Sequence, residues 1–277
     1  MKKLIGDKEF LKRVATVAIP IIIQNGITNF VSLLDNIMVG KIGTEQMSGV
    51  AIVNQLLFIL SLALFGAVSG PGIFTAQYVG QKNNEGVRHT VRIKLIYCVA
   101  IALIGIFIFT AFQNDLIMLF LHKTSDNINL EDTLAYAKSY MMVMLLGMPI
   151  FAITQAYAGT LREAGETKVP MIAGIVATFI NLAFNYILIF GHFGAPTLGV
   201  VGAAIATDIS RVIEFLIIVI WTHANKERCP YAVGLYKGFK IPGNLLTKVT
   251  VKGFPLFLNE LMWSMGMSAL TQCYSMR

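Results

Sequence analysis

From Val14 to Val39 the chain runs 26 residues with one charged side chain, Asp35. At ~1.5 Å rise per residue, a helix of that length outreaches the ~30 Å hydrocarbon core of a bilayer. The segment is therefore predicted to cross a membrane. A carboxylate inside such a helix costs roughly 2.5–3.5 kcal/mol at mid-membrane and less toward the edges, so it is kept where it faces a wet cavity or a partner. An intramembrane acid in a polytopic chain points first to ion-coupled transport.

The rest of the chain fits a membrane protein. Hydrophobic residues make up 56% and charged residues 13%, where soluble domains hold roughly 45–50% and 25%. The net charge of +7 does not mark a nucleic-acid surface, because the basic residues sit in alternate loops rather than on one patch. Cys98, Cys229 and Cys273 lie far apart without metal-ligand spacing and imply no disulfide framework. The opening MKKLIGDKEFLKR has the charge of a signal peptide. The apolar run behind it is too long and lacks a small-x-small cleavage site, so it reads as a retained first helix.

Apolar runs recur at 14–39, 47–79, 95–112, 134–158, 169–190, 199–221 and 254–276, which predicts seven spans. Gly70-Pro71-Gly72 is expected to bend or interrupt the long second run. The N-terminus (Lys2, Lys3, Lys8, Lys12, Arg13), two later loops and the 222–252 linker together carry 17 basic residues. The opposite side has three, Lys41, Lys123 and Lys138. That bias predicts a cytoplasmic N-terminus (1–13) and a cytoplasmic linker (222–252). RVATVAIPIIIQN at 13–25 returns as KVTVKGFPLFLNE at 248–260, matching Pro20 to Pro255. This suggests two repeated halves, the second stopping inside its first helix, although apolar helices also resemble one another by chance.

Span five places Asn181 and Asn185 on one helix face, with Thr178 a turn earlier. Amides there serve either as interhelical glue or as partners of a cation-binding carboxylate, and the residues alone leave both readings open. Span six sets Asp208, Arg211 and Glu214 at successive i, i+3 steps, which reads first as a structural ion-pair set beside a water-filled interior. Thr207 beside them reaches Asn181 or Asp35 if those helices are neighbours. Glu260 is the single acid of span seven, placed either to serve a site or to snorkel. Met262, Met265, Met267 and Met276 on that span suit a cavity for varied apolar cations or plain lipid-facing filler. His89, His122, His192 and His223 are scattered, with no zinc-protease motif, nucleophile elbow or phosphate-cradling loop, so no enzyme is expected.

Four stretches resemble the multidrug and toxic compound extrusion (MATE) transporters: AIPIIIQNGITNFVSLLDNIMVGKIGTEQMSGVA, GIFTAQYVGQKN, AGTLREAGETKVPMIAGIVATFINLAFNYILIFG and LGVVGAAIATDISRVIEF. The third is the most specific, joining an LRxxGxTxxP loop to an Asn-bearing helix. The resemblance implies an all-α membrane fold of two six-helix lobes around a central cavity, exporting cationic drugs in exchange for Na+ or H+, with no cofactor. It implies Asp35 as the first-helix cation site, holding Na+ or a proton, with Asn181, Asn185 and Thr207 as its polar network. It also implies Glu260 as the acid of the seventh helix. Some relatives place Asp in the fifth helix, where this chain has Asn at both candidate positions, which leaves proton against sodium open. Since such proteins have twelve helices, residues 14–221 are expected to be the N-terminal lobe and 253–277 the first helix of a truncated second lobe. The expected setting is the plasma membrane, with a small cationic substrate and the bilayer as partners, no nucleic acid, and the missing C-terminal lobe needed for a complete transporter. The alternatives are a lipid-linked saccharide flippase of the same superfamily, or a non-transporting membrane fragment that only associates with other proteins.

Overall fold

Turn-forming residues between the apolar runs act as helix caps. The Asp7 side chain accepts from the Phe10 N–H at 2.7 Å and starts α1, Lys8–Gly40. After the Lys41-Ile42-Gly43 turn comes α2, Thr44–Gly80. Asn83 accepts from Gly86 N–H and starts α3, Asn84–Ala111, and Asn129 does the same for Glu131 at α5, Leu130–Glu163. Between them lies a short α4, Gln113–Phe120. α6 spans Lys168–Phe190 and ends on Gly191 at φ 73°, a left-handed position that glycine fills without a Cβ clash. α7 spans Gly199–Ala224 and α8 spans Gly243–Ser275. The computed structural model describes residues 7–121, 129–238 and 240–275, which are helical apart from turns and connections. Lys2, Lys3, His122, Lys123 and Met276 lie outside them.

The long helices overrun the apolar runs at both ends. A helix adds one hydrogen bond per residue once nucleated, so it continues past the lipid boundary through polar residues. Hence the 222–252 linker shrinks to 225–242, its ends taken up by α7 and α8. Pro71 does not interrupt α2, which runs 37 residues through it. Pro71 has no N–H for the Ala67 carbonyl four residues earlier, a loss that membrane helices tolerate inside a bundle. The short α4 has no counterpart in the predicted spans. It follows the third apolar run after a break at Phe112.

By length and composition α1, α2, α3, α5 and α6 suit membrane crossing. α7 is equally extended but carries Asp208, Arg211 and Glu214. α2 and α5 are the most buried helices and pack together, with α3 against both. α1 packs on α6, α6 on α7 and α7 on α5, and α1 touches α2 lightly. These five helices form a ring, loosest between α1 and α2. α8 lies along the other side of α2.

The α7–α8 connection is a docked strap. Arg92 of α3, 4% exposed, donates through Nε to the Leu235 carbonyl at 2.8 Å and through Nη2 to Gly234 and Lys237 at 3.0 and 3.2 Å. Its Nη1 reaches Lys240 at 3.4 Å. Tyr236 bonds Tyr157 of α5, whose hydroxyl also lies 3.1 Å from His223 Nε2. Cys229, Tyr231 and Leu235 of the strap are themselves buried. Burial pushes the Cys229 thiol up, and the Tyr231 hydroxyl 3.5 Å away opposes this weakly. A raised thiol pKa means little thiolate at neutral pH, so Cys229 is expected to alkylate slowly. Arg92→Gln removes a charge-assisted clamp and should raise the maleimide reactivity of Cys229 at least about tenfold. The check is labelling in a Cys98→Ser, Cys273→Ser background, and an unchanged rate would show that Arg92 does not hold the strap.

Candidate cation-binding cavity

The ring of α1, α2, α5, α6 and α7 gathers polar side chains that the helical repeat aligns. On α1, Gln24, Thr28, Ser32 and Asp35 follow at steps of four, four and three, which makes one polar face. Opposite them stand Thr178 and Asn181 of α6, and Thr207, Ser210, Arg211 and Glu214 of α7. Together they line a cavity of about 580 Å³ that also meets Phe58 and Ser61 of α2 and Phe151 of α5. A second chamber of about 300 Å³ lies between Asp35, Asn36, Asn54, Tyr140, Asn185 and Arg211. Ser32, Asp35, Thr207 and Arg211 line both. Asp35 therefore stands where the two chambers meet.

Asp35 is held by a directed chain of hydrogen bonds. Asn185 donates through Nδ2 to Asp35 Oδ1 at 2.8 Å and to Asn181 Oδ1 at 3.2 Å. Asn181 donates to the Thr207 hydroxyl at 3.1 Å, and that hydroxyl donates to the Ala203 carbonyl at 3.0 Å. Asn181 and Asn185 are 8% and 2% exposed, so the middle of the chain is buried. Among the described residues the Asn185 Oδ1 is buried without a donor. A buried oxygen without a hydrogen-bond donor normally costs free energy. Next to a carboxylate it is also what an alkali cation requires, because hard cations take oxygen ligands. Asp35, Asn185 Oδ1 and the Thr207 hydroxyl are oxygens of the kind that Na+ takes. A proton on Asp35 needs only the carboxylate. Among the described residues no cluster of three His, Cys, Asp or Glu side chains is placed to hold a transition metal.

The remaining candidates divide. Asp208 Oδ1 lies 3.5 Å from Arg211 Nη1, and its carboxylate packs on the backbone of Gly147 in α5. Glu214 forms no ion pair within 4.0 Å among the described residues and faces the larger chamber. Glu260 lines neither chamber. It packs beside Gly66 at the α2–α8 contact, and the structure does not bring it to Asp35. Sequence reasoning passed over Gln24, Thr28 and Ser32, although their i, i+4 spacing above Asp35 was visible. It also passed over Asn54 and Tyr140, joined by a 3.2 Å hydrogen bond between α2 and α5. No spacing rule links those two.

The long apolar helices, with a polar chamber between them, are those of a multi-pass membrane protein. A profile of the MatE family matches residues 20–187, and the chain belongs to that family. A probable multidrug resistance protein NorM of Thermotoga maritima is 30% identical over 265 residues, covering 93% of this chain and 53% of that protein. A probable multidrug resistance protein YoeA of Bacillus subtilis is 27% identical over 249 residues, covering 90% and 52%. Among solved structures, a MATE protein in the bent conformation aligns at TM-score 0.78 and 24% identity, covering 95% of this chain and 55% of that one. An outward-facing multidrug resistance MATE family transporter of the MOP superfamily aligns at TM-score 0.76 and 24% identity, covering 92% and 54%. The chain spans about half the length of the curated relatives it matches. The family is one of transporters, not enzymes.

Proposed function

We propose that this chain carries the cation-coupling half of a secondary antiporter that exports small cationic drugs in exchange for Na+ or protons. The observation that carries this reading is Asp35, hydrogen-bonded by Asn185 at the junction of two polar chambers inside an otherwise apolar bundle. A chamber of about 580 Å³ falls in the range of drug-sized sites. Among the described residues its charged lining is two acids, Asp35 and Glu214, against one base, Arg211. Such a field draws cations and repels anions. A saccharide-lipid flippase handles phosphate and calls for the reverse balance, so the antiporter reading is preferred. In this reading the N-terminus and the strap face the cytoplasm, as the loop charges require.

The test is ethidium accumulation in an efflux-deficient host that expresses the protein carrying this chain. Accumulation should fall relative to the empty host and return when the Na+ or proton gradient is collapsed. Asp35→Asn should abolish the effect at equal membrane abundance. Gradient-independent efflux, or full efflux in Asp35→Asn, would overturn the reading.

A further inference from the structure

Among the described residues Arg211 is the one base lining either chamber, and it lines both, as Asp35 does. Its guanidinium is loosely held. Nη1 lies 3.5 Å from Asp208 Oδ1 and 3.7 Å from the Met148 sulfur, and the group rests 5.0 Å from the Phe151 ring centroid. Among the described residues, Nε and Nη2 have no hydrogen-bond acceptor. A guanidinium has five N–H donors and commonly grips a carboxylate with two of them at 2.7–2.9 Å. One long contact to Asp208 leaves most of that capacity uncommitted in a chamber whose lining also holds Asp35 and Glu214. Asp208, by contrast, is fixed against the Gly147 backbone and lines neither chamber.

We propose that Arg211 is a tethered cation of this cavity, which Asp208 holds back and which competes with the mobile cation for Asp35. The proposal rests on the reading of Asp35 as the cation site. A mobile cation neutralises Asp35 while Arg211 stays on Asp208. When that cation leaves, the guanidinium turns to Asp35, so the carboxylate is never left without a cation. Release is thereby assisted by a charge built into the chain. Arg211 sets the cation affinity of the site, and Asp208 acts on that affinity through Arg211 alone.

The experiment is a double-mutant cycle on the purified full chain, reading the affinity of Na+ alone and of tetraphenylphosphonium alone by equilibrium dialysis. Arg211→Met removes the competitor and should tighten binding of a monovalent probe about tenfold or more. Asp208→Asn frees the competitor and should weaken binding by a similar factor. Arg211→Lys keeps the charge and should stay near the parent. The double variant decides: acting through Arg211, Asp208→Asn has no effect once Arg211 is Met, so the double variant binds as tightly as Arg211→Met. Additive effects, returning the double variant to the parent affinity, would show a fixed electrostatic field and overturn the proposal. So would unchanged or weaker binding in Arg211→Met. Should that variant not fold, tighter or unchanged binding in the near-isosteric Asp208→Asn overturns the proposal by itself. Parent chain that binds neither probe, or binds both equally after Asp35→Asn, removes the cation-site reading and this proposal with it. Asp35-dependent binding that ignores Arg211 removes this proposal alone.

Discussion

Replacing Asp35 with asparagine is expected to cut the affinity of the purified chain for monovalent cations about thousandfold. Two unit charges ~4 Å apart at an effective dielectric of ~20 attract by about 4 kcal/mol, and each 1.4 kcal/mol is a factor of ten. Asparagine keeps the size of the side chain and a carbonyl oxygen for the Asn185 amide, so the 2.8 Å contact survives in shape while the charge is gone. Asn185→Leu should act less strongly. It removes the donor to Asp35 and the Asn185 Oδ1 that has no donor of its own, but it leaves the carboxylate in place. A loss of about tenfold is expected from the missing oxygen, since removing a supporting group of a cation site costs roughly 10–100-fold in affinity. Thr178→Ala is the control. Its hydroxyl is spent on the Gly174 carbonyl at 2.7 Å, and binding should stay near the parent value. Equilibrium dialysis with radioactive Na+ separates the three. Comparable affinity in the parent and Asp35→Asn would make Asp35 structural.

Much of this site is legible one helix at a time. Asp35, Asn181, Asn185 and Thr207 stand out because an apolar helix carries polar groups only at a cost, and the helical repeat tells which of them share a face. The repeat does not tell which faces meet. That Asn185 bonds Asp35 while Asn181 bonds Thr207 depends on α6 lying between α1 and α7. Within α7, the i, i+3 steps treat Asp208, Arg211 and Glu214 alike. Packing against Gly147 draws Asp208 out of the cavity, and Glu214 faces in. Loop charge marked the 222–252 segment as a linker. The carbonyls that Arg92 gathers there belong to the backbone, which no composition shows.

Gly253→Leu is expected to separate α8 from α2 over the length of their contact. The two backbones meet at this point: a Cβ built on Gly253 lies 2.9 Å from the Gly70 Cα, and one on Gly70 lies 2.5 Å from the Gly253 Cα. Small residues allow membrane helices to approach until their backbones touch, and dispersion over that close surface is what holds them in lipid. The Gly70-Pro71-Gly72 segment, readable in sequence as a helix breaker, is thus a contact surface in a continuous helix. A leucine side chain cannot be absorbed by a rotamer change when the opposing atoms are main chain, so the helix itself must move. The Gln55–Ser268 hydrogen bond at 2.8 Å and the Tyr97–Thr250 contact at 2.6 Å should then be lost together. The readout is a disulfide between Gln55→Cys and Ser268→Cys in a background with the three native cysteines replaced. Copper-catalysed oxidation should close it nearly fully in the parent, partly with Gly253→Ala and hardly at all with Gly253→Leu. Gly266→Leu, where a Cβ meets nothing within 4 Å, should leave it intact. Equal crosslinking in Gly253→Leu and Gly266→Leu would mean that the Gly70–Gly253 contact does not hold α8 in place.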